Sequence, residues 1–241
     1  SADLPAQSGL GASSSFTVGL LNAFAAFKNQ RFSKKELGLN AIEIEQKKIK
    51  EFVGSQDQIS ASFGGLNVVN YYKNKIEVKP VIALEKNIKA LEDSMFLFFT
   101  GYPRSASSIE KRKIENVELN ERYYSEIYKI TCEAEEKIYN SRNIISDYSE
   151  LMDKYWFLKK KLSSNVSNTN IDKLYRLGIK NGAYAGKLVG AGGGGFLLFF
   201  IDPKKRSHFK NLFKKYTIVP FKFENSGSQI IYYKKDSNYE S

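Results

Sequence analysis

The chain has 241 residues, of which 42% are hydrophobic, so it can bury one substantial core or two modest ones. Lys and Arg outnumber Asp and Glu by 37 to 26, which favours acidic partners without distinguishing nucleic acid, anionic lipid and phosphorylated metabolites. The longest apolar runs, 16–27 and 195–201, are shorter than the ~20 residues that a membrane-spanning helix requires, so no membrane partner is expected. With one cysteine, Cys132, and no secretory pattern, we predict a reducing, cytoplasmic location.

Two helices are predicted in the first fifty residues. Large apolar residues recur at intervals of four and three after a glycine-rich turn, which predicts a helix with this stripe buried: Phe16, Leu20, Phe24 and Phe27. Ser33 and Glu36 have the spacing of a capping box, so a second helix is expected to begin there. Its predicted apolar side consists of Leu37, Ala41, Ile44 and Ile49.

Strand patterns follow, and then a long helical region. The runs 64–72 and 75–81 are predicted to pair as an antiparallel hairpin around the polar turn 73–75. The continuous apolar run 94–101, which ends at Gly101, is typical of a central strand. Residues 104–163 contain almost no glycine or proline and have helical apolar spacing, which predicts long helices.

The C-terminal third mixes both kinds of element. Asn170 is predicted to cap a helix, and a glycine turn to lead into a strand at 196–201. A basic helix is expected from Pro203 to about residue 216, with Phe209 and Phe213 buried and His208 at the surface. This buried stripe favours a packed helix with a solvated opposite face over a helix that binds nucleic acid. The runs 218–223 and 229–233 are predicted strands. Few, partly hairpin-linked strands among helices indicate an α+β fold.

The stretch "QSGLGASSS", residues 7–15, has the composition of an anion site at the start of the first helix. A helix N-terminus presents unpaired N–H groups and a partial positive charge. Gly9 and Gly11 would let the backbone approach a phosphate closely, and the serines could contact phosphate oxygens or Mg²⁺. The alternative is that these residues only form a turn and a helix cap.

Several segments carry a family resemblance. "PAQSGLGASSSFTVG", residues 5–19, resembles the phosphate loop of the GHMP kinases, and "KLVGAGGGGFLLFFI", residues 187–201, resembles their C-terminal motif. "SQDQISASFGGLN", "FTGYPRSAS" and "PFKFENSGSQIIYY" are similar to the members that phosphorylate D-glycero-D-manno-heptose 7-phosphate and to related sugar 1-kinases. Two motifs in the family's order, over about residues 3–233, identify the chain as a member.

The resemblance implies a GHMP kinase fold of two domains. Residues 1–85 would be the C-terminal part of a ribosomal-S5-like domain, and 86–241 a ferredoxin-like α/β sandwich domain. The family also has a preceding segment of roughly 100 residues, so we expect residues 1–241 alone to have little or no turnover.

The resemblance also implies which residues hold ATP and Mg²⁺. The nucleotide phosphates would be surrounded by Gly9, Leu10, Gly11, Ala12, Ser13 and Ser14. The family's serine ligand of Mg²⁺ falls on Ser13, whereas the first serine of its Ser-Ser pair is replaced by Ala12. That replacement removes one hydroxyl but keeps the backbone N–H groups.

Two carboxylates match the family's remaining chemistry. Glu45 would help to hold Mg²⁺, and Asp57 would orient or deprotonate the acceptor hydroxyl. Phosphoryl transfer needs mainly in-line placement and charge neutralisation, so one metal and one carboxylate could suffice. The alternatives are a solvated Glu45, with Glu43 competing for the metal, and a helix-capping Asp57.

Five glycines in the six residues 190–195 indicate close approach to another backbone or a ligand. The resemblance implies that this loop supports the phosphate loop, with Gly192 and Gly193 at the nucleotide and Gly193 also at the acceptor. Arg104 could clamp a sugar phosphate, or it could be an exposed cation at a helix start.

The implied reaction is transfer of the ATP γ-phosphoryl group to the anomeric hydroxyl of a sugar phosphate, with D-glycero-D-manno-heptose 7-phosphate as the leading acceptor. ATP and this sugar are the expected partners, and nucleic acid is not. A galactokinase-like or fucokinase-like sugar kinase, or a non-catalytic nucleotide- or RNA-binding module, remains as an alternative.

Overall fold

The computed structural model describes residues 9–102 and 116–234. The described residues divide into two compact units, one of residues 13–66 and 224–234, and the other of residues 9–12, 67–102 and 116–223. Among the described residues, no helix is long and apolar enough to cross a membrane. The domain boundary predicted near residue 85 remains a proposal.

Helices and antiparallel strands alternate along the described chain, as the predicted α+β class requires. The helices are α1 (Ala12–Phe27), α2 (Lys34–Glu43), α3 (Gln56–Phe63), α4 (Glu85–Ser94), α5 (Glu121–Asn140), α6 (Ile144–Leu162), α7 (Thr169–Lys180) and α8 (Arg206–Leu212). The strands are β1 (Asn67–Tyr72), β2 (Lys75–Pro80), β3 (Met95–Phe99), β4 (Ala183–Leu188) and β5 (Phe196–Ile201). β1 and β2 form the predicted hairpin, and the other three form an antiparallel sheet in the order β3-β5-β4. α4 is not among the predicted elements.

The first unit is held together by the contacts of α2. The Ser33 side chain accepts a hydrogen bond from the Glu36 N–H, and the Glu36 carboxylate accepts one from the Ser33 N–H, so the predicted capping box is confirmed. Leu37 and Ala41 of α2 pack with Val18 of α1 in a small buried cluster. Ile49, which was expected on the same apolar side, is 57% exposed because the chain winds into a π-helical turn, Ile44–Lys48, after α2.

The stripe predicted to be buried on α1 is exposed instead. Phe16 is 70% exposed and Phe27 81% exposed, and Leu20 and Phe24 are exposed as well. The residues that α1 buries are Ser14, Val18 and Ala25, on another side of the helix. The prediction was wrong because α1 is apolar on more than one side, and periodicity alone does not identify the side that packs.

The second unit has a core of aromatic and aliphatic side chains on one face of the three-stranded sheet. Phe96, Phe98, Phe199, Phe209 and Phe213 are all buried in it, and the Phe98 and Phe213 rings stack with centroids 4.3 Å apart. The predicted burial of the two α8-region phenylalanines and the exposure of His208 are therefore confirmed. Among the described residues the central strand is β5, whereas β3, predicted to be central, has β5 as its one strand neighbour and a bridge to Ile218 on its other edge.

Three further predictions are corrected in this part of the chain. α7 is capped by Asn168, whose side chain accepts from the N–H groups of Asn170 and Ile171, so Asn170 is already helical. The runs 218–223 and 229–233 do not form strands, apart from the bridge at Ile218. A strand requires a neighbour for its backbone groups, and among the described residues neither run has a full one.

The close packing of α7 on β5 generates a stability prediction. A Cβ added at Gly178 would collide with the ring of Phe199, which is fully buried. We expect Gly178→Ala to lower the free energy of unfolding by about 1–3 kcal/mol, because the ring has no room to move. Gly19→Ala in α1 is the matched control, since nothing lies within 4 Å of its added Cβ and alanine favours a helix by up to ~1 kcal/mol. Thermal unfolding measures both, and an unchanged midpoint for Gly178→Ala would contradict the packing.

Candidate active site

The turn that enters α1 has the backbone conformation of a glycine turn. Gly9 and Gly11 have φ angles of 85° and 69°, in the left-handed region that other residues disfavour. α1 begins at Ala12 and has no acidic residue of its own in its first turn. The N–H groups at this helix start and the positive end of the helix dipole can accept an anion. The stretch Gly9–Ala12 is partly buried, and Ser13 is exposed.

Ser14, the next residue, forms a buried contact with the predicted metal carboxylate. Its side-chain oxygen donates a hydrogen bond to Oε2 of Glu45 at 2.9 Å, and the two residues are 5% and 1% exposed. Glu45 therefore lies beside Ser14 and is not a solvated surface charge, whereas Glu43 is exposed. The π-helical turn Ile44–Lys48 changes the direction of successive side chains relative to α2 and carries Glu45.

A third side chain, Gln58, completes this buried group and was missed by the sequence analysis. Its Nε2 donates to the same Oε2 of Glu45 at 2.5 Å, and the residue is fully buried. Gln58 and Ser62 are both buried and lie four residues apart on α3, so they share its inner face. Gln58 and Ser62 have the spacing expected for the buried side of an amphipathic helix, and two polar residues at such positions could have identified Gln58.

Asp57 lies in the first turn of α3 and is exposed. The N-cap position of α3 belongs to Ser55, so Asp57 is not the helix cap considered as an alternative. Asp57 directly precedes Gln58 and, about 100° around the helix from it, turns to a different side. The structure thus brings Ser14, Glu45 and Gln58 together and leaves the Asp57 side chain outside this buried group.

The buried group has a free acceptor suited to a cation. Oε1 of Glu45 and Oε1 of Gln58 are buried and have no hydrogen-bond partner among the residues that the structure describes. Mg²⁺ takes oxygen ligands and uses one or two carboxylates, so the Glu45 carboxylate is a ligand of the type that it requires. Within residues 9–102 and 116–234, no three His, Cys, Asp or Glu side chains form a larger metal cluster.

The glycine loop between β4 and β5 is fixed from several sides. Gly192 has a φ angle of 114°, and a Cβ there would lie 2.8 Å from backbone atoms of Val166. The Gly193 N–H donates to the Val166 carbonyl at 2.9 Å, and the Thr100 hydroxyl donates to the Gly195 carbonyl at 2.7 Å. At Gly192 the close approach to another backbone that the sequence predicted is therefore confirmed.

One buried lysine contacts the start of this loop, and a second lysine lies on the strand that precedes it. Lys159 of α6 is buried, and its ammonium donates to the carbonyl oxygens of Leu188 and Gly190 at 3.2 and 2.5 Å. Lys187 of β4 lies over the ring of Tyr155 at 4.7 Å, and burial lowers its pKa. Lys159 was not predicted, because its partners are main-chain carbonyls that leave no sequence pattern. Arg104, the predicted sugar-phosphate clamp, lies outside the described residues.

Comparison with known proteins places this arrangement in a family. The GHMP kinases N terminal domain matches residues 1–65, and the GHMP kinases C terminal domain matches residues 142–216. The chain is 36% identical over 217 residues to the D-glycero-alpha-D-manno-heptose 7-phosphate kinase of Campylobacter jejuni, with 88% of this chain and 63% of that protein covered. It is 29% identical to the mevalonate kinase of Methanocaldococcus jannaschii, covering 85% of this chain and 61% of that protein.

A solved structure agrees with these sequence matches. The crystal structure of a D-glycero-D-manno-heptose 1-phosphate kinase from Bacteroides thetaiotaomicron superposes with a TM-score of 0.64 at 26% identity, covering 93% of this chain and 64% of that chain. The chain thus spans slightly less than two thirds of the length of each of these relatives. Because the N-terminal and C-terminal domains of one family match in order and the fold agrees, the chain belongs to the GHMP kinase family.

Proposed function

We propose that this protein is an ATP-dependent sugar kinase that phosphorylates the anomeric hydroxyl of D-glycero-D-manno-heptose 7-phosphate. The observation that carries the proposal is the buried contact of Ser14 with Glu45 at the start of α1, directly after a glycine turn with positive φ angles. The start of α1, which is suited to bind phosphate, lies beside the Glu45 carboxylate, and one oxygen of that carboxylate has no hydrogen-bond partner among the described residues. The chain also belongs to a kinase family. The name of the Campylobacter relative supports this acceptor.

The proposed role of the α1 start is to bind the phosphates of ATP. Main-chain N–H groups of residues 9–14 would donate to phosphate oxygens, and the two glycines leave room for this approach. The cytoplasmic location predicted from the sequence belongs to the same proposal, and the exposed Cys132, which forms no disulfide, is compatible with it.

Glu45 would hold the Mg²⁺ that accompanies ATP, through its unpartnered Oε1. A serine hydroxyl is the second proposed ligand. The sequence motif favours Ser13, whose side chain is on the exposed side, because the hydroxyl of Ser14 already donates to Glu45. When bound, Mg²⁺ supplies charge neutralisation for the β- and γ-phosphates.

Asp57 would receive or orient the proton of the attacking sugar hydroxyl. Its exposed position at the first turn of α3 leaves the carboxylate accessible to an acceptor, while the next residue, Gln58, is tied to Glu45. Gly192 and Gly193 are proposed to contact the nucleotide, Gly193 also the sugar, and Arg104 the sugar's phosphate. The protein would thus recognise both the phosphate and the anomeric hydroxyl of the acceptor.

The first test is metal-dependent nucleotide binding by the 241-residue chain. We expect a non-hydrolysable ATP analogue to raise the thermal unfolding midpoint only when Mg²⁺ is present, with about 2.7 kcal/mol of stabilisation at 100 times its Kd. An RNA-binding module would instead show a shift from RNA that falls steeply with salt. No shift with the Mg²⁺-bound analogue, for this chain and for the longest natural form of the protein alike, would overturn the kinase proposal.

The acceptor is tested by coupled ADP release from the longest natural form of the protein. The panel contains D-glycero-D-manno-heptose 7-phosphate, galactose, fucose and mevalonate. We expect the heptose phosphate to give the highest kcat/KM, because only it offers both a phosphate and an anomeric hydroxyl. A higher value for an unphosphorylated sugar would move the assignment to the galactokinase-like or fucokinase-like alternative.

Asp57→Asn separates an enzyme from a nucleotide sensor. Loss of the carboxylate should lower kcat by about 100- to 10,000-fold and leave nucleotide affinity unchanged, because the residue is proposed to touch only the acceptor. Asp93→Asn, an exposed aspartate in a surface ion pair with Lys89, is the control and should leave both unchanged. Unaltered turnover in Asp57→Asn would remove Asp57 from the mechanism.

The glycine loop is tested through Lys159. Lys159→Met removes the ammonium from two loop carbonyls, so we expect faster hydrogen exchange of amides 190–195 and a loss of about 1.5–3 kcal/mol in unfolding free energy. Lys161→Met, an exposed lysine on the same helix, is the control. Exchange as slow as in the wild type would mean that Lys159 does not hold the loop.

A further inference from the structure

Gln58 contributes a buried amide to the carboxylate that the proposed function assigns to the metal. The residue is fully buried, and its Nε2 lies 2.5 Å from Oε2 of Glu45. The contact fixes which way the amide faces, since the reverse orientation would set a carbonyl oxygen against a carboxylate oxygen at that distance. Gln58 is therefore a hydrogen-bond donor to Glu45.

The hydrogen bonds to Glu45 are distributed unequally over its two oxygens. Oε2 accepts from both Ser14 and Gln58, whereas Oε1 is buried and has no partner in the described ranges 9–102 and 116–234. Two donors on one oxygen fix the rotation of the carboxyl group, so the direction of the other oxygen is fixed as well. A buried carboxylate oxygen without a donor is costly, and a cation removes that cost.

The geometry points to Gln58 as a positioning residue that holds Glu45 so that its Oε1 is directed at the divalent cation accompanying the nucleotide. This inference rests on the proposed function and adds to it the residue that sets the metal ligand's orientation. Gln58 acts through Glu45 and is not itself in the reaction. Partners of metal-binding groups commonly change metal affinity by 10- to 100-fold when removed.

The placement of Gln58 on α3 gives this role a structural basis. The neighbouring residues Asp57 and Gln58 project from the same helical turn, one exposed and the other buried. A shift of α3 would therefore move the proposed acceptor carboxylate and the support of the proposed metal carboxylate together. A side chain of similar length without a donor would leave Oε2 with Ser14 alone.

The test compares Gln58→Met with Gln56→Met, an exposed glutamine on the same helix. Mn²⁺ binding is measured by electron paramagnetic resonance, with and without a non-hydrolysable ATP analogue, and thermal unfolding reports folding of each variant. We expect Mn²⁺ affinity to fall about 10-fold or more in Gln58→Met and to stay at the wild-type value in Gln56→Met. If Gln58→Met does not fold, Gln58→Asn replaces it, because its amide is one methylene too short to reach Glu45.

A double-mutant cycle shows whether Gln58 acts through Glu45. In the Glu45→Gln background, Gln58→Met should cause no further loss of Mn²⁺ affinity. Wild-type affinity in Gln58→Met, or an equal loss in both backgrounds, would overturn the inference while wild-type Mn²⁺ and nucleotide binding leave the proposed function standing. Absence of Mn²⁺ and nucleotide binding by the wild type would overturn both.

Discussion

The buried carboxylate of Glu45 is the interaction on which the candidate site depends. It joins three separate segments, since its hydrogen bonds come from Ser14 in α1 and Gln58 in α3 while Glu45 itself lies in the π-helical turn. Removing a carboxylate from water costs several kcal/mol unless its charge is compensated. Two neutral donors on one oxygen compensate only part of that cost. In the proposed site a cation at Oε1 would supply the rest of the compensation, and ligand binding would then be coupled to the stability of this unit.

The π-helical turn explains why this glutamate and not its neighbour reaches the interior. Glu43 ends α2 on the exposed side, and Glu45 lies two residues later in a turn closed by the Ile49 N–H and the Ile44 carbonyl. An inserted residue in a helix changes the direction of every side chain after it, and such turns are frequent at functional sites. The same change carries Ile49 out of the apolar side predicted for α2.

Sequence patterns predicted those elements whose cause is local. The capping box of Ser33 and Glu36, the β1–β2 hairpin and the buried pair Phe209 and Phe213 each depend on residues a few positions apart. Which side of α1 is exposed, and whether the runs 218–223 and 229–233 form strands, depends on which other segments pack against them. The spacing of apolar residues within a segment does not reveal those neighbours. Gln58 and Lys159 were not predicted because their partners are distant in sequence. Gln58 contacts Glu45, 13 residues away. Lys159 contacts Leu188 and Gly190, which are 29 and 31 residues away.

The glycine loop shows how a flexible sequence becomes rigid before any ligand arrives. Glycine residues lose more conformational entropy on folding than other residues, so a loop that contains five glycines would be expected to remain mobile. Within the segment 190–195, Lys159 donates to the Gly190 carbonyl, the Val166 carbonyl accepts from the Gly193 N–H, and the Thr100 hydroxyl donates to the Gly195 carbonyl. The entropy is lost when the protein folds, so a ligand that contacted this backbone would not have to order it. Glycine is retained because the backbone of Val166 leaves no space for a side chain at Gly192, and rigidity comes from the surrounding residues.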